Sequence, residues 1–189
     1  MTLHTVPLAD IAPQPWLRGG GRTRELLRWP RPDEWQVRIS VAEIDSDGPF
    51  STWPGTERWF AVIDGHGVRL ALPTGEETVT RQSCPLRFDG ACAPACRLID
   101  GPTRELNLML QHSRGSLSIV KGSWNEAFAW RALYSSGKGL WTDGRERRPI
   151  GAGTLLWSDD AAAAPWHFDA TGPGAAWWIG ATPLKGATR

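Results

Sequence analysis

The chain has 189 residues, 41% of them apolar and 22% charged, with a formal net charge of +1. That length suits one large domain or two small, tightly joined ones with a real buried core, and the balance is that of a globular protein. The near-zero charge argues against a dedicated nucleic-acid binder, which carries a basic excess or stripe; the Arg145, Arg147, Arg148 cluster reads as a solvated turn.

Taken in chain order, the N-terminal MTLHTVPLADIAPQP lacks the basic and apolar regions of a secretory signal. No later stretch approaches eighteen apolar residues, so the expectation is a cytoplasmic protein with no membrane partner. PWLRGGGRTR follows at 15–24. It is not a phosphate loop, because GxxxxGK[ST] is absent and no strand signal precedes it. It is not a flexible linker either, since Trp16, Arg18, Arg22 and Arg24 crowd the glycines. The remaining readings are a strand entrance needing unusual dihedrals or close backbone approach, and an anion-binding nest among arginines. RTRELLRW, residues 22–29, is the one moderately helical stretch.

From there the dominant period is two. In WQVRISVAEI, Trp35, Val37, Ile39 and Val41 share one face, and Gln36, Arg38, Ser40 and Ala42 the other, which predicts a strand. The polar face is either solvated, as is usual for antiparallel sheets, or turned into a barrel that holds a ligand. DSDGPFSTWPG is dense in turn signals. ERWFAVIDGHGVRLAL reads as a hairpin, with strands at 58–63 and 67–72 about Asp64-Gly65. TVTRQS, PLRF, CRLI, RELNLMLQ, SLSIVK, AFAWRALYS, GLWTD, GTLLWS and AAWWIGATPL are further short strands, and SDDAAAAP at 158–165 could form a turn of helix. Turn residues every eight to twelve positions point to an all-β sandwich or barrel. Two similar runs of strands point to two barrel halves, a single sandwich being the alternative.

Site chemistry is read largely by exclusion. His4, His66, His112 and His167 show neither HxH nor HxxxH spacing, so no metal centre and no cofactor are expected. Cys84, Cys92 and Cys96 are expected as reduced thiols, and Cys92-x3-Cys96 is not a zinc pattern. There is no GxSxG elbow. Glu25, Glu43, Asp45, Asp47, Glu57 and Glu105 are available as carboxylates, with nothing to single out a pair. Twelve tryptophans stand against one tyrosine; Trp53, Trp59 and Trp130 are read first as core, with pocket wall as the alternative.

Three blocks in order resemble the HutD/Ves family: PWLRGGGRTREL, RISVAEIDSDGPFSTWPGTERWFAVIDGHGVRL, and LRFDGACAPACRLIDGPTRELNLML. The likeness runs over about residues 14–112 and continues weakly beyond. Trp16, Gly19, Gly20, Gly21, Thr23 and Glu25 match the opening pattern, with Arg18 where the family usually has Asn. Arg38, Ser40, Ala42 and Glu43 match the next, and Gly48, Pro49, Phe50, Ser51, Pro54 and Gly55, followed by Arg58, the third. The family's DFNLM becomes Glu105-Leu106-Asn107-Leu108-Met109.

The resemblance implies a cupin-type double β-barrel, a bicupin in one chain, without metal-binding histidines. Residues 1–110 would form the N-terminal barrel and 111–189 a degenerate C-terminal one, with strands free to swap between them. It implies a role in histidine utilisation. The leading reading is a non-enzymatic regulatory protein that senses a small carboxylate, urocanate or a formyl- or formimino-glutamate. Gly19, Gly20 and Gly21 with Arg38 and Arg58 would form one wall of the pocket, because arginine holds carboxylates bidentately; Ser40, Ser51 and Asn107 would add neutral hydrogen bonds. The glycines could equally be structural. The alternative is a metal-independent enzyme acting on an acid or sugar-like substrate, with Glu43 as general base. A third reading is an interaction module that forms a homodimer through sheet edges and tryptophans.

Overall fold

The alternating residues of the sequence pair into eighteen strands in this computed structural model, which describes residues 2–160 and 164–183. They are β1 (His4–Pro7), β2 (Gln14–Pro15), β3 (Gly21–Trp29), β4 (Val37–Ile44), β5 (Gly48–Pro49), β6 (Thr56–Asp64), β7 (Val68–Leu72), β8 (Gly75–Val79) and β9 (Leu86–Asp89). Then come β10 (Ala95–Leu98), β11 (Thr103–Gln111), β12 (Arg114–Ile119), β13 (Trp130–Ser135), β14 (Gly139–Thr142), β15 (Arg147–Ile150), β16 (Thr154–Ser158), β17 (His167–Ala170) and β18 (Ala176–Thr182). The protein is all-β. No helix among the described residues is long and apolar enough to cross a membrane.

The chain divides into two compact units. The first is Ala12–His112. Its six-stranded sheet runs β2-β3-β4-β11-β6-β9 and its four-stranded sheet β5-β10-β7-β8. Ile44, Phe50, Phe60, Val62, Val68 and Leu70 are among the buried side chains of its core. The other unit takes the described residues up to Ile11 together with those of 113–183. Its five-stranded sheet is β1-β16-β13-β18-β12 and its three-stranded sheet β15-β14-β17. Trp124, Trp141, Trp166 and Trp178 dominate that core, with Leu133 and Leu156. Thus β1, pairing with β16 in the register His4 to Trp157, lies across the 110/111 division read from the sequence. None of the four sheets closes on itself.

Two local expectations change. RTRELLRW is not helical but most of β3, with an irregularity between Glu25 and Leu27. The segment expected as a hairpin does supply two strands, but β6 pairs with β11 and β9, and β7 with β10 and β8. Gly65 and Gly67, at φ of +85° and +106°, let the chain pass from one sheet to the other. Of the turn of helix expected at 158–165, residues 161–163 lie outside the described residues.

Candidate ligand-binding cavity

Strand parity builds the site. Along β4 one face carries Arg38, Ser40 and Ala42, which line a cavity of about 660 Å³, and then Ile44, which belongs to the apolar core. β11 runs antiparallel beside it, with Met109 opposite Arg38, Asn107 opposite Ser40 and Glu105 opposite Ala42. β6 adds Arg58, opposite Met109, before turning apolar at Phe60 and Val62. The interior of this unit is therefore polar at one end and hydrocarbon at the other. Four arginines (Arg18, Arg28, Arg38, Arg58) and two glutamates (Glu25, Glu105) border the cavity, so positive charge exceeds negative even with both carboxyls ionised.

The charged groups form two arms. In the first, Glu25 joins two arginines: its Oε1 lies 2.7 Å from Arg28 Nε, and its Oε2 accepts from Arg38 Nε at 2.7 Å. Arg38 also reaches Met109 Sδ at 3.4 Å and lies over the Trp53 ring, 4.9 Å from its centroid. Burial pushes the Arg38 guanidinium down, while the Glu25 charge and hydrogen bond oppose it. In the second arm, Arg58 sits between the Phe50 and Phe88 rings, 5.2 and 5.1 Å from their centroids. It donates to the Ser51 carbonyl at 3.3 Å and to Asn107 Oδ1 at 3.1 Å, and Asn107 Nδ2 donates to Glu105 Oε1 at 2.5 Å.

Burial lowers Arg58 to about 10, which leaves it charged at neutral pH. Burial pushes Glu105 up to about 7, against the pull of Arg58 and the Asn107 hydrogen bond. Arg58 Nε and Glu105 Oε2 are buried with no hydrogen-bond partner among the described residues. Buried polar atoms are rarely left so, and both residues border the cavity, so its wall carries unmet hydrogen-bonding capacity.

The glycine triplet divides its tasks. Gly19 and Gly20 take φ of +71° and +84°, which only glycine adopts without strain. Gly19 borders the cavity; its N–H is used by the Trp16 carbonyl at 3.0 Å. The Gly20 carbonyl accepts from the backbone N–H of Asp45 and Ser46. At Gly21 a Cβ would lie 2.4 Å from the Glu43 carbonyl oxygen and 3.1 Å from the Trp16 ring. Trp16 itself donates from Nε1 to Thr23 Oγ1 at 2.8 Å. Gly20 and Gly21 serve the turn and the close strand packing, and neither borders the cavity.

A family model described as HutD matches residues 8–173. The chain belongs to the HutD family. A 21.2 kDa protein in the hutC 3′ region of Pseudomonas putida is 32% identical over 114 residues, covering 59% of this chain and 60% of that protein, less than two thirds of the relative's length. Protein Ves of Citrobacter koseri is 26% identical, covering 79% of this chain and 91% of the relative. Among solved structures, HutD from Pseudomonas fluorescens, in a formate condition, superposes with a TM-score of 0.83 at 24% identity over 97% of this chain and 100% of that one. Oxalate decarboxylase from Lactobacillus farciminis, a formate complex of cupin type, gives 0.65 at 8% identity over 97% and 87%. At those identities the structures show shared fold. The P. putida relative ties the family to a histidine-utilisation region.

In this HutD-family chain the cavity gathers Arg38, Ser40, Ser51, Arg58, Asn107 and Gly19 from the residues expected at the site. Glu43 is not among them. It projects from the other face of β4, where Arg22 and Arg24 hydrogen-bond its carboxylate and Arg104 Nε lies 3.7 Å away. Burial alone would raise that carboxyl, but the three arginines outweigh it and hold Glu43 below its usual value. Glu105, Glu25 and Arg28 border the cavity without having been singled out, and Trp53, read first as core, forms part of its wall. Glu105 was within reach of the sequence, since it stands two residues from Asn107 on one strand and so shares its face. Glu25 was hidden by the helical look of its segment.

Proposed function

We propose that the cavity of the Ala12–His112 unit binds a small carboxylic acid as its anion, and that this HutD-family chain is a non-enzymatic sensor that limits histidine utilisation. The observation that carries the reading is the excess of arginine around a cavity where Arg58 Nε is buried without a partner. A carboxylate supplies two planar acceptors for such a fork. Urocanate and formyl- or formimino-glutamate are the candidate acids, and formate, named with two of the related structures, is the smallest probe of the same chemistry. The two units are then read as cupin-type halves of one bicupin.

Binding to the native state raises the melting temperature by mass action. A melting scan of the purified chain with millimolar formate, urocanate and N-formylglutamate is expected to show a rise with at least one acid. That rise should be indifferent to added divalent metal and lost in Arg38→Ala. No rise with any of them overturns the reading.

One observation favours a second reading, a metal-independent enzyme working by general acid/base catalysis. Glu105 borders the cavity and titrates near neutrality, where proton transfer in either direction is most effective. Following each acid by proton NMR with stoichiometric protein separates the two: turnover that stops in Glu105→Gln supports the enzyme.

A further inference from the structure

The Arg58–Asn107–Glu105 relay has a direction. Asn107 Oδ1 accepts from Arg58, so its Nδ2 faces Glu105 Oε1, and the amide cannot be turned without setting donor against donor. That leaves Glu105 Oε2 as the carboxyl oxygen without a partner and Arg58 Nε as the guanidinium nitrogen without one, on two residues that both border the cavity. Glu105 is only 2% exposed.

The groups set against Glu105 are few. β4 presents Ala42 and β6 presents Val62 in register, both apolar. β6 also brings Arg58, the cation acting on Glu105, with Arg38 of β4 acting in turn on Arg58. β10 brings Cys96, whose thiol burial pushes up to about 12, with Glu105 and Asp47 adding to the rise, so that it stays neutral. Glu25 and Arg28 of β3 are occupied with each other and with Arg38. Arg58 is thus the local counterion of an ionised Glu105. A guest carboxylate that takes Arg58 draws off this counterion and sets a second negative charge near Glu105, and both changes favour the protonated carboxyl.

We propose that Glu105 is a proton-carrying specificity residue of this cavity: when a carboxylate enters against Arg58, Glu105 takes up one proton from solvent and donates it in a hydrogen bond from Oε2 to the guest. No covalent bond is made or broken beyond that O–H, and the guest keeps its charge. Guests without an acceptor at that point, such as amines and simple alcohols oriented as donors, gain nothing from the protonated carboxyl and are sorted against. The inference rests on the carboxylate-binding reading above.

The sign follows from linkage. Binding favours protonated Glu105, so affinity is highest below the titration point and falls as pH rises through it. For a group titrating at about 7, affinity at pH 8.5 is expected to be about 30-fold weaker than at pH 6.

The test is titration calorimetry of the full chain with formate and N-formylglutamate at pH 6 and 8.5, in two buffers of different protonation enthalpy. The expected result is that fall in affinity and, at pH 8.5, close to one proton taken up per acid bound. Glu105→Gln, which keeps a donor at the same place, is expected to bind with neither proton uptake nor pH dependence. Binding at pH 8.5 without proton uptake in the unaltered chain overturns this inference and leaves the carboxylate reading standing, and needs no variant to fold. Absence of binding by both acids at both pH values overturns both.

Discussion

The two units set paired sheets around opposite interiors. In Ala12–His112 the inner face of the large sheet carries arginine, glutamate, serine and asparagine around open space. In the other unit the interior is filled by indole. All seven tryptophans from Trp124 to Trp178 are buried. Trp124 stacks on Trp178 at 5.4 Å, and Trp141 meets Trp166 edge-on at 5.2 Å. Backbone gives way to rings: a Cβ on Gly139 would fall 2.2 Å from Phe168, and one on Gly180 2.1 Å from Phe128. Even the buried Arg131 lies against the Trp166 ring, at 4.9 Å, and donates to the Ala164 carbonyl. The lesson concerns the tryptophan excess. Indole from the chain itself fills one interior, whereas the other unit keeps open space lined by polar side chains.

The same residue type then has different weight in the two places. Trp166→Ala removes a fully buried ring from a packed core, for which about 3–5 kcal/mol is the expected loss. Trp53→Ala removes a half-buried ring from the wall of an existing cavity, and the expected loss is about 1 kcal/mol, the Arg38 contact included. Urea unfolding of the two variants checks this. Equal losses would mean that the two interiors are equally packed and would break the contrast.

A smaller contrast lies inside the glycine triplet. Gly21→Ala drives a methyl into backbone, the Glu43 carbonyl, and is expected to cost about 2–3 kcal/mol. Gly19→Ala meets nothing within 4 Å and is charged only for its left-handed backbone, about 1 kcal/mol. Denaturant midpoints in that order would show that the triplet is there mainly for strand packing. The reverse order would return weight to the cavity rim.

Much of this organisation was legible. Strict alternation through 35–42 put Arg38 and Ser40 on one face, and the quoted motif blocks carried the family and the all-β, cupin-type fold. Parity failed where the backbone broke its own period. Glu25 and Leu27 flank the irregularity of β3, so the leucines of that strand imitate a helical spacing. The turn at Gly65–Gly67 looked like a hairpin because turn residues report a reversal but not which sheet receives the next strand. Glu105 followed from Asn107 by parity alone, since two residues apart on one strand share a face. Nothing local in the sequence marks which tryptophans meet across a core.

The smallest expected effect concerns the residue that parity excludes from the cavity. Glu43 is ionised at neutral pH and tied to Arg22, Arg24 and Arg104, of which Arg22 and Arg104 are about half exposed. Pairs of that kind contribute about 1 kcal/mol or less, so Glu43→Gln should lower stability by that order. Because the folded carboxyl titrates below its ordinary value, its contribution is present above that value and fades as pH falls through the folded one; the variant should converge on the unaltered chain in acid. Its acid-induced rise in melting temperature should match that of the unaltered chain, whereas Arg38→Ala loses it. If Glu43→Gln abolished the rise and Arg38→Ala kept it, the guest would sit on the other face of β4, and the contrast between an open and a filled interior would lose its functional meaning.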